Sequence, residues 1–128
     1  MEASLAWPHP IYIRLGKGGD PVISKAERGF AIGKAIDMVD ETTGASDVLL
    51  VATGVATTQA LAATRTLAGE GVRCRLLHLH TVKPLDAEAL VEAASQTRLI
   101  VTVEEHSVVG GLGSAVLEAL ADGMSGAL

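Results

Sequence analysis

Aromatic side chains are nearly missing from this sequence: Trp7, Tyr12 and Phe30 are the only three. Without an aromatic platform the chain is a poor candidate for stacking on single-stranded nucleic acid. Basic residues are also few. Ten Lys and Arg are scattered among fifteen Asp and Glu, for a net charge of −5. No basic stripe exists to follow a phosphate backbone, so nucleic acid is not an expected partner. Cys74 stands alone, which excludes an internal disulfide and favours the cytoplasm. No apolar run approaches the length of a membrane span, so no membrane partner is expected. The opening MEASLAWPHP lacks the charged and apolar regions of a secretory signal.

What remains is a chain rich in small aliphatics. At 128 residues and 48% hydrophobic content it can bury one core, and Ala, Val and Leu suit helices packed closely on a sheet. Residues 10–15 (PIYIRL) read as a strand, followed by the turn-forming GKGGDP at 16–21. Residues 30–38 alternate enough to favour a strand over a helix, since Gly29 and Gly33 weaken the helical reading. ETTGASD is a loop. Next comes DVLLVAT (47–53), a continuous apolar run of the kind a strand buried on both faces needs. An Ala-rich helix over 55–70 ends at Gly71. A strand over 73–79, a helix over 86–95 with Asp86 as N-cap, a strand over 98–103 and a helix over 111–121 complete the series. This alternation predicts an α/β fold with a parallel sheet covered on both faces.

Ligands of such sheets gather beyond the carboxyl ends of the strands. Those ends carry Thr53-Gly54, His80-Thr81 and Glu104-Glu105-His106, all expected along one edge. One reading is a polar crevice with His106 as acid/base and Glu105 orienting it. The other is polarity where strands meet water or a partner. His78 and His80, with Cys74 upstream, carry zinc-type donors, but no fourth ligand is placed and two ordinary strand-end histidines are the plainer reading. Gly110, Gly111 and Gly113 precede a helix, where a phosphate can sit. Their spacing is neither a dinucleotide fingerprint nor a P-loop, and the neighbouring Glu104 and Glu105 repel anions, so close packing is the preferred explanation. Arg14, a charge in an apolar strand, suits either phosphate recognition or an ion pair.

Four segments taken together, PIYIRLGKGGDP, DVLLVATG, LHTVKPLD and VTVEEHSVVGGLGSAV, resemble the carboxyl-terminal domain of transketolase-like thiamine diphosphate enzymes in order and spacing. That family includes transketolase, deoxyxylulose phosphate synthase and the beta subunits of 2-oxo acid dehydrogenases. The resemblance covers residues 10–122 and looks closest to the two-subunit bacterial transketolases. It implies a three-layer α/β/α fold around a five-stranded mixed sheet whose first strand is antiparallel. The chain would stop where the fifth strand begins, leaving 98–103 at an exposed edge and favouring a homo-oligomer. It also implies a division at residue 20, with 1–20 closing a preceding pyrimidine-type domain or linker and 21–128 forming the domain itself. Thiamine diphosphate and Mg2+ would bind in the whole enzyme but not in this chain, which would be inactive alone and serve dimerisation and domain support. No catalytic residue and no metal ligand is therefore assigned here. Arg14, or else Lys17, matches the arginine that reaches a substrate phosphate in relatives. Gly54, His80, Glu104, Glu105, His106, Gly110, Gly111 and Gly113 are crevice or interface candidates. Two other functions stay open: an independent small-ligand regulatory module, and a 2-oxo acid dehydrogenase domain that docks a lipoyl carrier.

Overall fold

In a computed structural model of the chain, residues 2–39 and 44–124 are described. A short helix α1 (Glu2–Leu5) and a single 3-10 turn (Ala26–Arg28) precede the sheet. The sheet is built from β1 (Ile36–Asp37), β2 (Ser46–Ala52), β3 (Cys74–His78) and β4 (Thr97–Val103). Between and after these strands run α2 (Ala56–Gly69), α3 (Ala87–Ser95) and α4 (Leu112–Met124). The strand order is β1-β3-β2-β4. β2 pairs in parallel with β3 and β4, whereas β1 runs antiparallel to β3. The expected mixed sheet with an antiparallel first strand is thus present, with four strands among the described residues.

Burial explains the layering. β2 is central, and alternate residues feed two cores. Leu49 and Val51 join Leu77, Leu79, Leu90, Ala93, Leu112 and Val116 on the side of α3 and α4. Leu50 and Ala52 join Ile36, Met38, Ala60 and Leu76 on the side of α2. Because side chains on a strand alternate in direction, one continuous apolar run supplies both layers. Local chemistry sets the helix ends. Asp86 caps α3 by accepting from the Ala89 N–H at 3.4 Å. α2 closes in a Schellman turn: Gly71, at φ +81°, donates to the Ala68 carbonyl and Val72 to that of Leu67, both at 3.0 Å.

One half-buried cation joins three elements. Arg75 on β3 donates to Asp37 of β1 at 2.7 Å and to Glu92 of α3 at 2.9 Å. Asp86 ties the chain just before β1 to the start of α3. It accepts from the Ala35 N–H at 2.9 Å, and the Lys34 ammonium lies 3.6 Å away.

Two expected strands differ. Residues 30–38 form a ladder only at Ile36 and Asp37, because Gly29 and Gly33, both at φ +78°, turn the chain before it. Residues 10–15 form no ladder among the described residues. Tyr12 and Leu15 are exposed, and Ile11 and Ile13 are only half covered. The loop expected over 41–47 lies partly outside the described residues, and Ser46 and Asp47 already belong to β2. At the far edge, β4 has no strand on its outer side among the described residues, and its Leu99 and Val101 remain 55% and 37% exposed.

Leu77 is 2% exposed at the centre of the sheet. Leu77→Ala is expected to cost about 2–5 kcal/mol, measured as a lowered urea midpoint. Leu99→Ala, on the open strip of β4, should cost less than about 1 kcal/mol. Equal losses at the two positions would contradict this division of core and surface.

Candidate functional site

Parallel pairing aligns the strand ends. Ala52 lies opposite His78 on one side and Val103 on the other. The next residues continue the contact: Leu79 donates its N–H to the Ala52 carbonyl at 2.9 Å, and the Thr53 hydroxyl donates to the Leu79 carbonyl at 2.7 Å. Gly54, His80 and Glu104 therefore leave the sheet along one edge, as their spacing predicts.

At that edge Glu104 is turned inward. Its Oε2 accepts from the Leu112 N–H at 2.7 Å and its Oε1 from the Gly113 N–H at 3.0 Å. These are first-turn donors of α4, which have no partner within the helix. A carboxylate there gains both charge-assisted hydrogen bonds and the favourable end of the helix dipole. The glycines make the approach possible. A Cβ on Gly111 would stand 2.5 Å from Glu104 Oε2, and one on Gly113 would stand 3.2 Å from Thr102 Oγ1. Gly110 supplies the turn at φ +77°. The chain's own carboxylate thus fills the position where a phosphate would bind. Glu105 and His106 are exposed and take no part in this cap.

The second group at the edge is a histidine pair. His78 is 3% exposed on the α2 side of β3. Its Nδ1 lies 2.8 Å from Thr57 Oγ1 at the start of α2, and its Nε2 lies 2.9 Å from Ser24 Oγ. Burial, together with the nearby His80, pushes its pKa down to about 4, against a smaller upward pull from the Ala52 backbone. The His80 ring stacks on Phe30 with centroids 4.2 Å apart, and its Nδ1 lies 2.9 Å from Thr81 Oγ1. Its Nε2 is buried and finds no hydrogen-bond partner among the described residues. Burial lowers the pKa of His80 too, with the Lys34 backbone opposing. Cys74 is buried four residues before His78, and burial raises its thiol pKa. Among the described residues, no three His, Cys, Asp or Glu side chains converge as metal ligands.

The edge does not form a single constellation. His80 belongs to the buried pair, Glu104 to the α4 cap and His106 to solvent. Arg14 and Lys17 are exposed and form no hydrogen bond or ion pair among the described residues. Gly16 between them passes close to Val55, directly after Gly54. Sequence reading missed Ser24, Thr57 and Phe30 as partners of the histidines. Nothing in their spacing marks them, since all three contacts are long-range.

The layered mixed sheet with its antiparallel first strand is the fold that a carboxyl-terminal domain of the transketolase type has, and it is similarity to known proteins that identifies the class. The family model for the transketolase C-terminal domain matches residues 38–128, and the chain belongs to this family. It is 42% identical over 118 residues to a 6-deoxy-6-sulfo-D-fructose transketolase subunit from Clostridium sp. (strain MSTE9), covering 92% of this chain and 35% of that protein. It is 38% identical over 117 residues to an apulose-4-phosphate transketolase subunit from Phocaeicola vulgatus, covering 91% and 36%. A solved split-gene transketolase, described as an inactive beta4 tetramer, superposes with a TM-score of 0.84 at 40% identity. That match covers 94% of this chain and 39% of the solved one. The chain spans about a third of the length of these curated relatives.

Gly111→Ala should destabilise the domain, because its methyl would enter the space of the Glu104 carboxylate. Glu104→Ala should cost roughly 1–3 kcal/mol by leaving first-turn N–H groups without their acceptor. In a double-mutant cycle followed by urea unfolding, the pair should lose clearly less than the sum of the two. Strict additivity would mean that the carboxylate and the glycine do not share this space.

Proposed function

We propose that the chain is the supporting third domain of a transketolase-type enzyme, in which a two-carbon ketol unit passes between sugar phosphates. The observation that carries this reading is one of length. Over nine tenths of its residues the chain resembles split-transketolase subunits, yet it accounts for only about a third of each. Thiamine diphosphate and Mg2+ are assigned to the other domains. The described residues of this chain do not fit that cofactor. Among the described residues no metal-ligand cluster comes together, and the glycine-flanked start of α4 is already occupied by Glu104. When bound elsewhere in the enzyme, thiamine diphosphate supplies the carbanion chemistry, and the protein positions it.

The domain's own part is association and support. Among the described residues β4 has an unpaired outer edge with apolar Leu99 and Val101 beside it, a surface that favours pairing with another chain. The boundary near residue 20 separates this domain from an extended segment, 10–15, whose apolar residues find little cover within the chain. In the assembled enzyme Arg14, or Lys17 beside it, is offered to the substrate phosphate from a segment that passes the Gly54–Val55 turn.

Three measurements test these assignments. Calorimetry on the isolated chain with Mg2+ should detect no thiamine diphosphate binding, and tight binding would overturn the division of labour. Light scattering at rising concentration should show self-association, whereas a strictly monomeric mass would remove the association role. In an active complex formed with the missing domains, Arg14→Ala should raise KM for phosphorylated acceptors about tenfold or more with little change in kcat. An unchanged KM for both Arg14→Ala and Lys17→Ala would remove the phosphate assignment.

A further inference from the structure

Residues 24–30 lie as a strap against the carboxyl end of β3, with a histidine at each end, while Arg28 between them donates to the Asp37 carbonyl of β1 at 3.4 Å. Ser24 at one end of the strap meets His78, and Phe30 at the other stacks on His80. The two rings also touch each other edge-on, with centroids 5.7 Å apart. His78 reaches past the strap to Thr57, so a chain of contacts runs from Ser24 through the imidazole into the first turn of α2.

We propose that His78 and His80 form an acid-operated latch, closed while both rings are neutral, that holds the 24–30 strap on the sheet and opens when they take up protons. A neutral imidazole has one donor and one acceptor nitrogen, so it passes a hydrogen bond from one hydroxyl to the other. An imidazolium has two donors. Whichever of Ser24 and Thr57 had donated to the ring then loses its acceptor, and Thr57 is fully buried. The neighbouring ring adds a second positive charge at close range.

The charges nearby do not compensate. The strap carries Lys25, Glu27 and Arg28, all exposed. Before β1, Lys34 lies 3.6 Å from Asp86. The Asp86 carboxylate is committed to the Ala35 N–H and the start of α3. Asp37 on β1 is held by Arg75. The first turn of α2 has no acidic residue, and no carboxylate bonds either imidazole among the described residues. Both folded pKa values are lowered from 6.5, that of His78 to about 4, so the released rings bind protons more tightly than the latched ones. The latch is therefore at full strength above about pH 6.5 and is lost as pH falls toward 4. Its opening loosens the attachment of the segment that carries Arg14 and Lys17, which then rests on the packing of Ile23 against the core on the α2 side. The proposal does not depend on the function assigned to the domain.

Phe30 is the only phenylalanine, so its ring resonances report strap docking without ambiguity. In the full chain, titrated from pH 7.5 to 4 by NMR, those resonances should move to free-phenylalanine positions while the Leu77 and Leu90 methyls keep their folded shifts. The double variant His78→Gln/His80→Phe should abolish this transition. Ser24→Ala, which leaves the core untouched, should move its midpoint to higher pH. The latch is overturned if Phe30 stays docked until the core methyls collapse, or if the double variant keeps the same transition. Should the double variant not fold, an unchanged midpoint in Ser24→Ala would overturn it equally.

Discussion

Everything in this domain depends on β2 being buried on both faces between two parallel neighbours. That constraint fixes the register, and the register brings Ala52, His78 and Val103 to one level. From there Thr53, Leu79 and Glu104 leave the sheet together, and the hydrogen bonds that organise the edge follow. A strand of this kind needs no polar decoration of its own, because its neighbours satisfy its backbone and its side chains feed two cores at once.

The edge so formed resembles an active site in composition but not in arrangement. Its carboxylate is spent on a helix start and one histidine is wired between two hydroxyls, while the other stacks on a phenylalanine. Glu104, His78 and His80 are each paired with separate neighbours rather than converging on a common point.

Most of the fold was legible in the sequence. The β2 run, the Asp86 cap and the Gly71 stop are local signals, and each reports a local physical need. The family resemblance supplied the antiparallel first strand, which periodicity alone left ambiguous. Two alternating segments form little or no ladder among the described residues, for related reasons. Residues 10–15 have strand-like alternation, but no partner strand exists for them among the described residues. Residues 30–35 alternate too, yet two glycines at positive φ break the extension. Whether an alternating segment joins a sheet is decided by its neighbours, which a local pattern does not contain. The inward turn of Glu104 was hidden for a related reason. Its partners lie eight and nine residues ahead, and only the folded turn brings them within reach.

The two faces of the sheet are unequally covered at β4. On one side α4 packs over Ile100 and approaches Thr102, while on the other α2 leaves Leu99 and Val101 open. This gives the free edge a direction. A strand added beside β4 satisfies the same backbone groups whatever it carries, but only a partner with bulk on the α2 side also buries apolar surface. Any strand that paired at this edge would therefore meet a one-sided apolar surface, open on the α2 face and closed on the α4 face.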